Sequence, residues 1–128
     1  MDSASSTILV VDDDQKICKV LVRLLASMGH RAEYVTSGAA LFEYLRRSVP
    51  NLILLDIMMP DMNGIEVLRE LRANPLTERL PVIMHSALSD SEMEMRTREL
   101  GVADFWVKSI VDVISMENSL RRHLGKAA

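Results

Sequence analysis

A chain of 128 residues has room for one domain and little more. With 48% hydrophobic residues it can build a single core and bury about two-thirds of the surface its unfolded form exposes. A net charge of −3 leaves no basic stripe for nucleic acid, no apolar run approaches the roughly 18–20 residues of a membrane helix, and the lone cysteine, Cys18, precludes an internal disulfide and suits a reducing, cytoplasmic setting.

Residues 1–6 are polar, lack the basic start and apolar stretch of a secretory signal, and are expected to be a flexible segment ahead of a domain over 7–124. Thr7–Val11 reads as the first strand. Ile17, Leu21, Leu24, Leu25 and Met28 then form one helical stripe, with Asp14 as N-cap and Gly29 as the stop. Cys18 lies among these apolar positions and is expected to pack. Arg31–Val35 mixes polar and apolar residues, as an edge strand does. A helix over about 38–47 follows, capped by Ser37, with Leu41 and Leu45 inward.

The third strand is expected at Asn51–Leu55, and a helix after Gly64 carries Val67, Leu68 and Leu71. A fourth strand is expected at Pro81–His85, then a thinly apolar helix over about 91–100 with Met93, Thr97 and Leu100. A fifth strand, Asp104–Val107, precedes a last helix with Val113, Leu120 and Leu124 inward and Ser109 and Asp112 as candidate caps. Arg121, Arg122 and Lys126 would complement that helix's C-terminal dipole, and residues 125–128 read as a tail.

Strict alternation of strand and helix implies an α/β fold, a parallel sheet covered by helices on both faces. The first and third strands are apolar without alternation, as central strands are. With the second strand at the edge, the order is 2-1-3-4-5: a doubly wound, flavodoxin-like (βα)5 sheet whose switch point lies between strands one and three.

Ligands bind such sheets at the carboxyl ends of the strands. There the sequence ends strand one at Asp12-Asp13, strand three at Asp56, strand four at Ser86 and strand five at Lys108. Three converging carboxylates repel, each pair costing roughly 4 kcal/mol at ~4 Å and an effective dielectric of about 20. Either some of them stay protonated or a cation sits among them, and for a cation an all-oxygen set favours Mg²⁺ over zinc. Mg²⁺ usually takes only one or two protein carboxylates, which leaves one as a nucleophile. Asp56 suits that role, because Ser86 and Lys108 flank it and can hold incoming phosphoryl oxygens.

These residues resemble the receiver domains of bacterial two-component response regulators. The matching stretches are Ile8-Leu9-Val10-Val11-Asp12-Asp13-Asp14, Leu54 through Gly64 with Asp56 and Pro60, Pro81 through Ala87 with Ser86, and Gly101 through Lys108. The resemblance implies a Mg²⁺ site of Asp12, Asp13, Asp56 and the Met58 carbonyl. It also implies a phosphoryl donor, either a histidine kinase or a phosphotransfer protein, and self-catalysed transfer to Asp56 with slow dephosphorylation. A switch follows in which Ser86 and Phe105 move and the face of the fourth helix, fifth strand and fifth helix changes. A downstream effector or a fused output domain would read that face; neither nucleic acid nor membrane is expected to bind directly.

The chain also departs from the family pattern. Ser109 stands where the family has proline; a cis bond there would cost roughly 2.5–4 kcal/mol, so a trans, differently shaped loop is expected. Phe105 lacks a tyrosine hydroxyl. Met58 and Leu88, two residues after Asp56 and Ser86, are apolar and would not orient an attacking water, which points to a long-lived phosphorylated state. His85 and Trp106 are expected to pack. Two further readings remain open: a phosphorylation-independent interaction or dimerisation module, and a haloacid-dehalogenase-type phosphatase built on Asp12-x-Asp14. Gln15 and the short chain count against the phosphatase.

Overall fold

The computed structural model describes residues 6–87, 91–108 and 111–124. In chain order the elements are β1 (Thr7–Val11), α1 (Gln15–Ser27), β2 (Arg31–Val35), α2 (Gly38–Leu45), β3 (Leu52–Asp56), α3 (Gly64–Ala73), β4 (Val82–Ser86), α4 (Ser91–Glu99), β5 (Asp104–Val107) and α5 (Val113–Leu124). All strand pairs are parallel, and the sheet order is β2-β1-β3-β4-β5.

The unbroken apolar runs of the central strands follow from burial on both faces. In β1 and β3, Leu9, Val11, Ile53 and Leu55 join the core beneath α2 and α3. Their neighbours Ile8, Val10, Leu52 and Leu54 join the core beneath α1 and α5. Period-two alternation thus separates two cores rather than a core from solvent. β2 lies at an edge and buries nothing completely.

Local chemistry sets the helix ends. The Asp14 carboxylate accepts from Lys16 N and Ile17 N at 3.0 and 3.3 Å. Gly29, at φ +95°, ends the first helical unit in a conformation that favours glycine. Ser37 Oγ accepts from Ala40 N, and Asp112 Oδ1 from Ser115 N. Ser109, the other candidate cap, lies outside the described residues, as do Leu88 and the ends at 1–5 and 125–128.

Three expectations need correction. β3 and β4 each sit one residue later than the expected Asn51–Leu55 and Pro81–His85, and Asp56 and Ser86 are themselves the last strand residues. Ladder pairing, not hydrophobicity, carries the strands that far: Asp56 pairs with His85 and Ser86 with Val107. Val113 is 46% exposed; the inward stripe of α5 is Met116, Ser119 and Leu120.

Candidate functional site

β1 and β3 are hydrogen-bonded neighbours, so the residues at their carboxyl ends meet. The carboxylates of Asp12, Asp13 and Asp56 lie within 4.8 Å of one another. Asp12 and Asp56 are buried, while Asp13 is exposed and leaves one side open. Asp12 Oδ1 accepts from Asp14 N at 2.9 Å, which fixes the turn out of β1. Its other oxygen takes the Lys108 ammonium at 2.8 Å. The same Nζ stands 3.5 Å from Asp56 Oδ1.

Lys108 reaches the centre because β5 ends level with β4. Its backbone N–H donates to the Ser86 carbonyl at 2.7 Å. Ser86 is buried at the end of β4, beside β3. Phe105 is half-buried on the α3–α4 side, and Trp106 is buried on the other. His85 meets Trp106 edge-on, with ring centroids 6.3 Å apart. Met58 is 63% exposed, and its backbone N–H donates to the Asp56 carboxylate.

The electrostatics match this crowding. Burial, then the charge of Asp12, pushes the Asp56 carboxyl up to about 6; the Lys108 charge and the Met58 N–H pull the other way without prevailing. Burial disfavours the Lys108 ammonium, but its hydrogen bond to Asp12 and the charges of Asp56 and Asp12 outweigh that, and its pKa rises. Burial, helped by Lys108, lowers His85 to about 4, so the ring is neutral at physiological pH. Burial and the Asp12 charge lift the Cys18 thiol to about 12, and its Sγ merely donates to the Asp12 carbonyl at 3.2 Å. Cys18 is a packing residue, not a nucleophile.

The donor set suits a hard divalent cation: three carboxylate oxygens, no sulfur or imidazole, and an open side toward Asp13 for water or phosphate oxygens. Asp14 does not join it. Its carboxylate caps α1, so the Asp-x-Asp pair of a phosphatase is not assembled.

Two acidic residues escaped the sequence reading. Asp61, in the loop between β3 and α3, accepts from Gly38 N and Ala39 N, both at 3.1 Å, at the start of α2. Its partners lie over twenty residues away, and no local signal announces them. Asp104 accepts from Ser119 Oγ at 2.6 Å and Trp106 Nε1 at 3.2 Å, with Arg122 at 3.7 Å. Burial opposes the Asp104 charge, but these donors hold its pKa below the usual value. Here a signal existed: a buried indole N–H needs an acceptor, and residues i and i+2 of a strand share a face.

Known proteins resemble this chain in sequence and fold. The response regulator receiver domain family model matches residues 8–120. Response regulator PleD of Caulobacter vibrioides (strain NA1000 / CB15N) is 34% identical over 110 residues, 86% of this chain and 24% of that protein. The chain spans only about a quarter to a half of the length of the curated relatives it matches. The signal receiver domain of a signal transduction histidine kinase from Syntrophus aciditrophicus superposes with a TM-score of 0.84 at 30% identity, over 93% of this chain and 89% of that one. The receiver domain of sensor histidine kinase PA1611 from Pseudomonas aeruginosa PAO1, solved with a magnesium ion in its active site cleft, gives 0.84 at 25% identity, over 95% and 99%. A family match across nearly the whole fold, with the acidic cluster at the family's end of the sheet, makes this chain a member of the response regulator receiver domain family.

Proposed function

We propose that the chain is a phosphoryl-accepting switch whose acceptor is Asp56. The observation that carries this reading is the meeting of Asp12, Asp13 and Asp56 within 4.8 Å, with the Lys108 ammonium between Asp12 and Asp56. In the transfer, an Asp56 carboxylate oxygen attacks the phosphorus of a phosphohistidine. The P–N bond breaks, its electron pair stays on the ring, which leaves as neutral imidazole because its other nitrogen already carries a proton, and an aspartyl phosphate forms. Asp12, Asp13, Asp56 and the Met58 carbonyl would hold Mg²⁺, which when bound supplies positive charge against the phosphoryl oxygens.

The remaining steps belong to this chain's side chains. Lys108 leaves its Asp12 contact and pairs with a phosphoryl oxygen; the Ser86 hydroxyl donates to another. Phe105 turns toward the space that Ser86 vacates, and the α4–β5–α5 face changes for a partner to read. The donor is a histidine kinase or a phosphotransfer protein. The reader is a separate effector or an output domain of the same protein, acting in the cytoplasm. The transfer is self-catalysed, without turnover of a released product. Among the described residues no helix is long and apolar enough to cross a membrane.

Incubation with acetyl phosphate and Mg²⁺, followed by intact-mass analysis, tests the reading. One added phosphoryl group is expected on the unaltered chain and none on Asp56→Asn or without Mg²⁺. An unmodified chain in all conditions would favour a phosphorylation-independent module.

A further inference from the structure

We infer that Asp61 is a positioning residue: by clamping the β3–α3 loop to the start of α2, it holds the Met58 carbonyl where the metal site needs it. The inference rests on the Mg²⁺ site proposed above and extends it to a residue outside the ligand set.

The loop from residue 57 to residue 63 is anchored unevenly. At its start, Ile57 is buried, and its carbonyl accepts from Gly64 N at 2.7 Å. At its end, Asn63 makes a capping box with Glu66 on α3. Between them, Met59 is buried in the core beneath α2 and α3, whereas Met58, Pro60 and Asp61 are exposed. Across this span Met58 N–H bonds back to Asp56 of β3, and the hydrogen bonds that tie the loop to a helix outside its own β3–α3 unit are, among those described, the two that Asp61 accepts from Gly38 N and Ala39 N. Both oxygens are used, one per N–H, so the carboxylate is held in translation and rotation. Beneath it, Met62 fills the space over Gly38: a Cβ at residue 38 would stand 3.0 Å from Met62 Cβ.

The α2 N-terminus suits this task. Its free N–H groups and dipole favour a carboxylate, and the two bonds keep the Asp61 pKa below its usual value. The consequence reaches the metal site through one short stretch of backbone. The Met58 N–H already donates to the Asp56 carboxylate, so the Met58 peptide borders the site. Mg²⁺ tolerates little departure from octahedral geometry at 2.0–2.1 Å. A loop that drifts by a few tenths of an ångström would therefore cost affinity without losing a single ligand.

A helix cap and a loop clamp can be told apart, because the Ser37 hydroxyl caps the same helix end by accepting from Ala40 N, a bond internal to that end. Isothermal titration calorimetry with MgCl₂ should show Asp61→Ala binding Mg²⁺ about tenfold more weakly than the unaltered chain, the lower end of losses from supporting residues. Ser37→Ala, which also weakens the α2 terminus, should bind as the unaltered chain does, and Asp61→Asn, which keeps one acceptor oxygen, should fall between. Amide resonances of Ile57 and Met58 should shift in Mg²⁺-free Asp61→Ala and stay put in Ser37→Ala. Should Asp61→Ala and Ser37→Ala match in both Mg²⁺ affinity and amide shifts, Asp61 is only a cap and the inference is overturned. An unaltered chain that binds no Mg²⁺ would overturn the functional reading and this inference together.

Discussion

Lys108 spans the sheet to reach Asp12: the ammonium from the end of β5 lies 2.8 Å from a carboxylate oxygen at the end of β1, 96 residues earlier in the chain, and 3.5 Å from Asp56. Asp12 is 1% exposed and the Lys108 side chain 18%. The lysine thus compensates two buried carboxylates at once, standing where a phosphoryl group would need it.

Lys108→Met should therefore destabilise the Mg²⁺-free protein by about 2 kcal/mol. Breaking a fully buried pair costs roughly 3–5 kcal/mol, and the partial exposure of Lys108 reduces that. Millimolar Mg²⁺ should restore much of the loss, because a cation among the carboxylates replaces the missing charge. Urea denaturation in EDTA and in Mg²⁺ checks this; an equal loss in both would refute it. Phosphorylation by acetyl phosphate should fall steeply in either case.

Asp56 carries the opposite burden. Its pKa stands at about 6 in the folded chain against 3.8 for an ordinary aspartate carboxyl, so its ionised form opposes folding. Above about pH 6 this costs up to about 3 kcal/mol, and the cost fades as pH falls from about 6 to 4 and the folded state takes up the proton first. Asp56→Asn should stabilise the metal-free protein at neutral pH by up to that amount and lose its advantage near pH 4. Thermal melts in EDTA across this range give the answer; an Asn variant no more stable than its parent at neutral pH would contradict it.

His85 runs the other way through nearly the same window. Burial lowers it from 6.5 to about 4, so the folded state resists the proton that the unfolded chain accepts. Stability from the neutral ring is complete above about pH 6.5 and is lost as pH falls toward 4, by up to about 3 kcal/mol. The two residues therefore offset each other in the parent. Asp56→Asn should show a steep acid loss driven by His85, whereas His85→Leu should grow more stable on mild acidification. Parallel pH profiles for the two variants would refute both assignments.

Much of this was legible in the sequence because each central strand is apolar on both faces and each chemical residue stands at a strand's carboxyl end. The cluster of Asp12, Asp13 and Asp56 follows from strand adjacency alone. What escaped the sequence depends on contacts between distant segments. The preference of Lys108 for Asp12 over Asp56 is a matter of tenths of an ångström. The Asp61 clamp joins a loop to the start of a distant helix, and no periodicity connects the two. Val113 misled because α5 starts there, where one apolar residue fits a helical stripe without facing the core; Ser119, polar by type, faces inward because Asp104 receives its hydroxyl.

Met58 bears on the lifetime of the phosphorylated state. Its side chain is exposed beside Asp56 and offers no group to orient an attacking water. The aspartyl phosphate should persist for minutes or longer in the purified protein with Mg²⁺, and Met58→Asn, which supplies an amide, should shorten that time several-fold. Loss of phosphorylated protein after donor removal measures both; decay within seconds in the parent would refute the argument.

Two glycines border the β3–α3 loop, Gly64 at its end and Gly38 across from Met62, and they should respond unequally to alanine. A Cβ on Gly64 would stand 2.7 Å from Ile57 Cα and 2.8 Å from the Asp56 carbonyl oxygen. Both are backbone atoms of the acceptor strand and its exit, so nothing can yield without moving Asp56. Gly64→Ala should cost about 3 kcal/mol, the upper end of overpacking losses, and should slow phosphorylation as well. A Cβ on Gly38 would meet only the Met62 side chain at 3.0 Å, which can turn aside. Gly38 is the first residue of α2, where alanine gains less than the roughly 1 kcal/mol of a helix interior, so Gly38→Ala should fall within about 1 kcal/mol of the parent. Denaturation of both variants with phosphorylation rates would separate backbone crowding at the site from side-chain crowding beside it, and equal losses would refute the distinction.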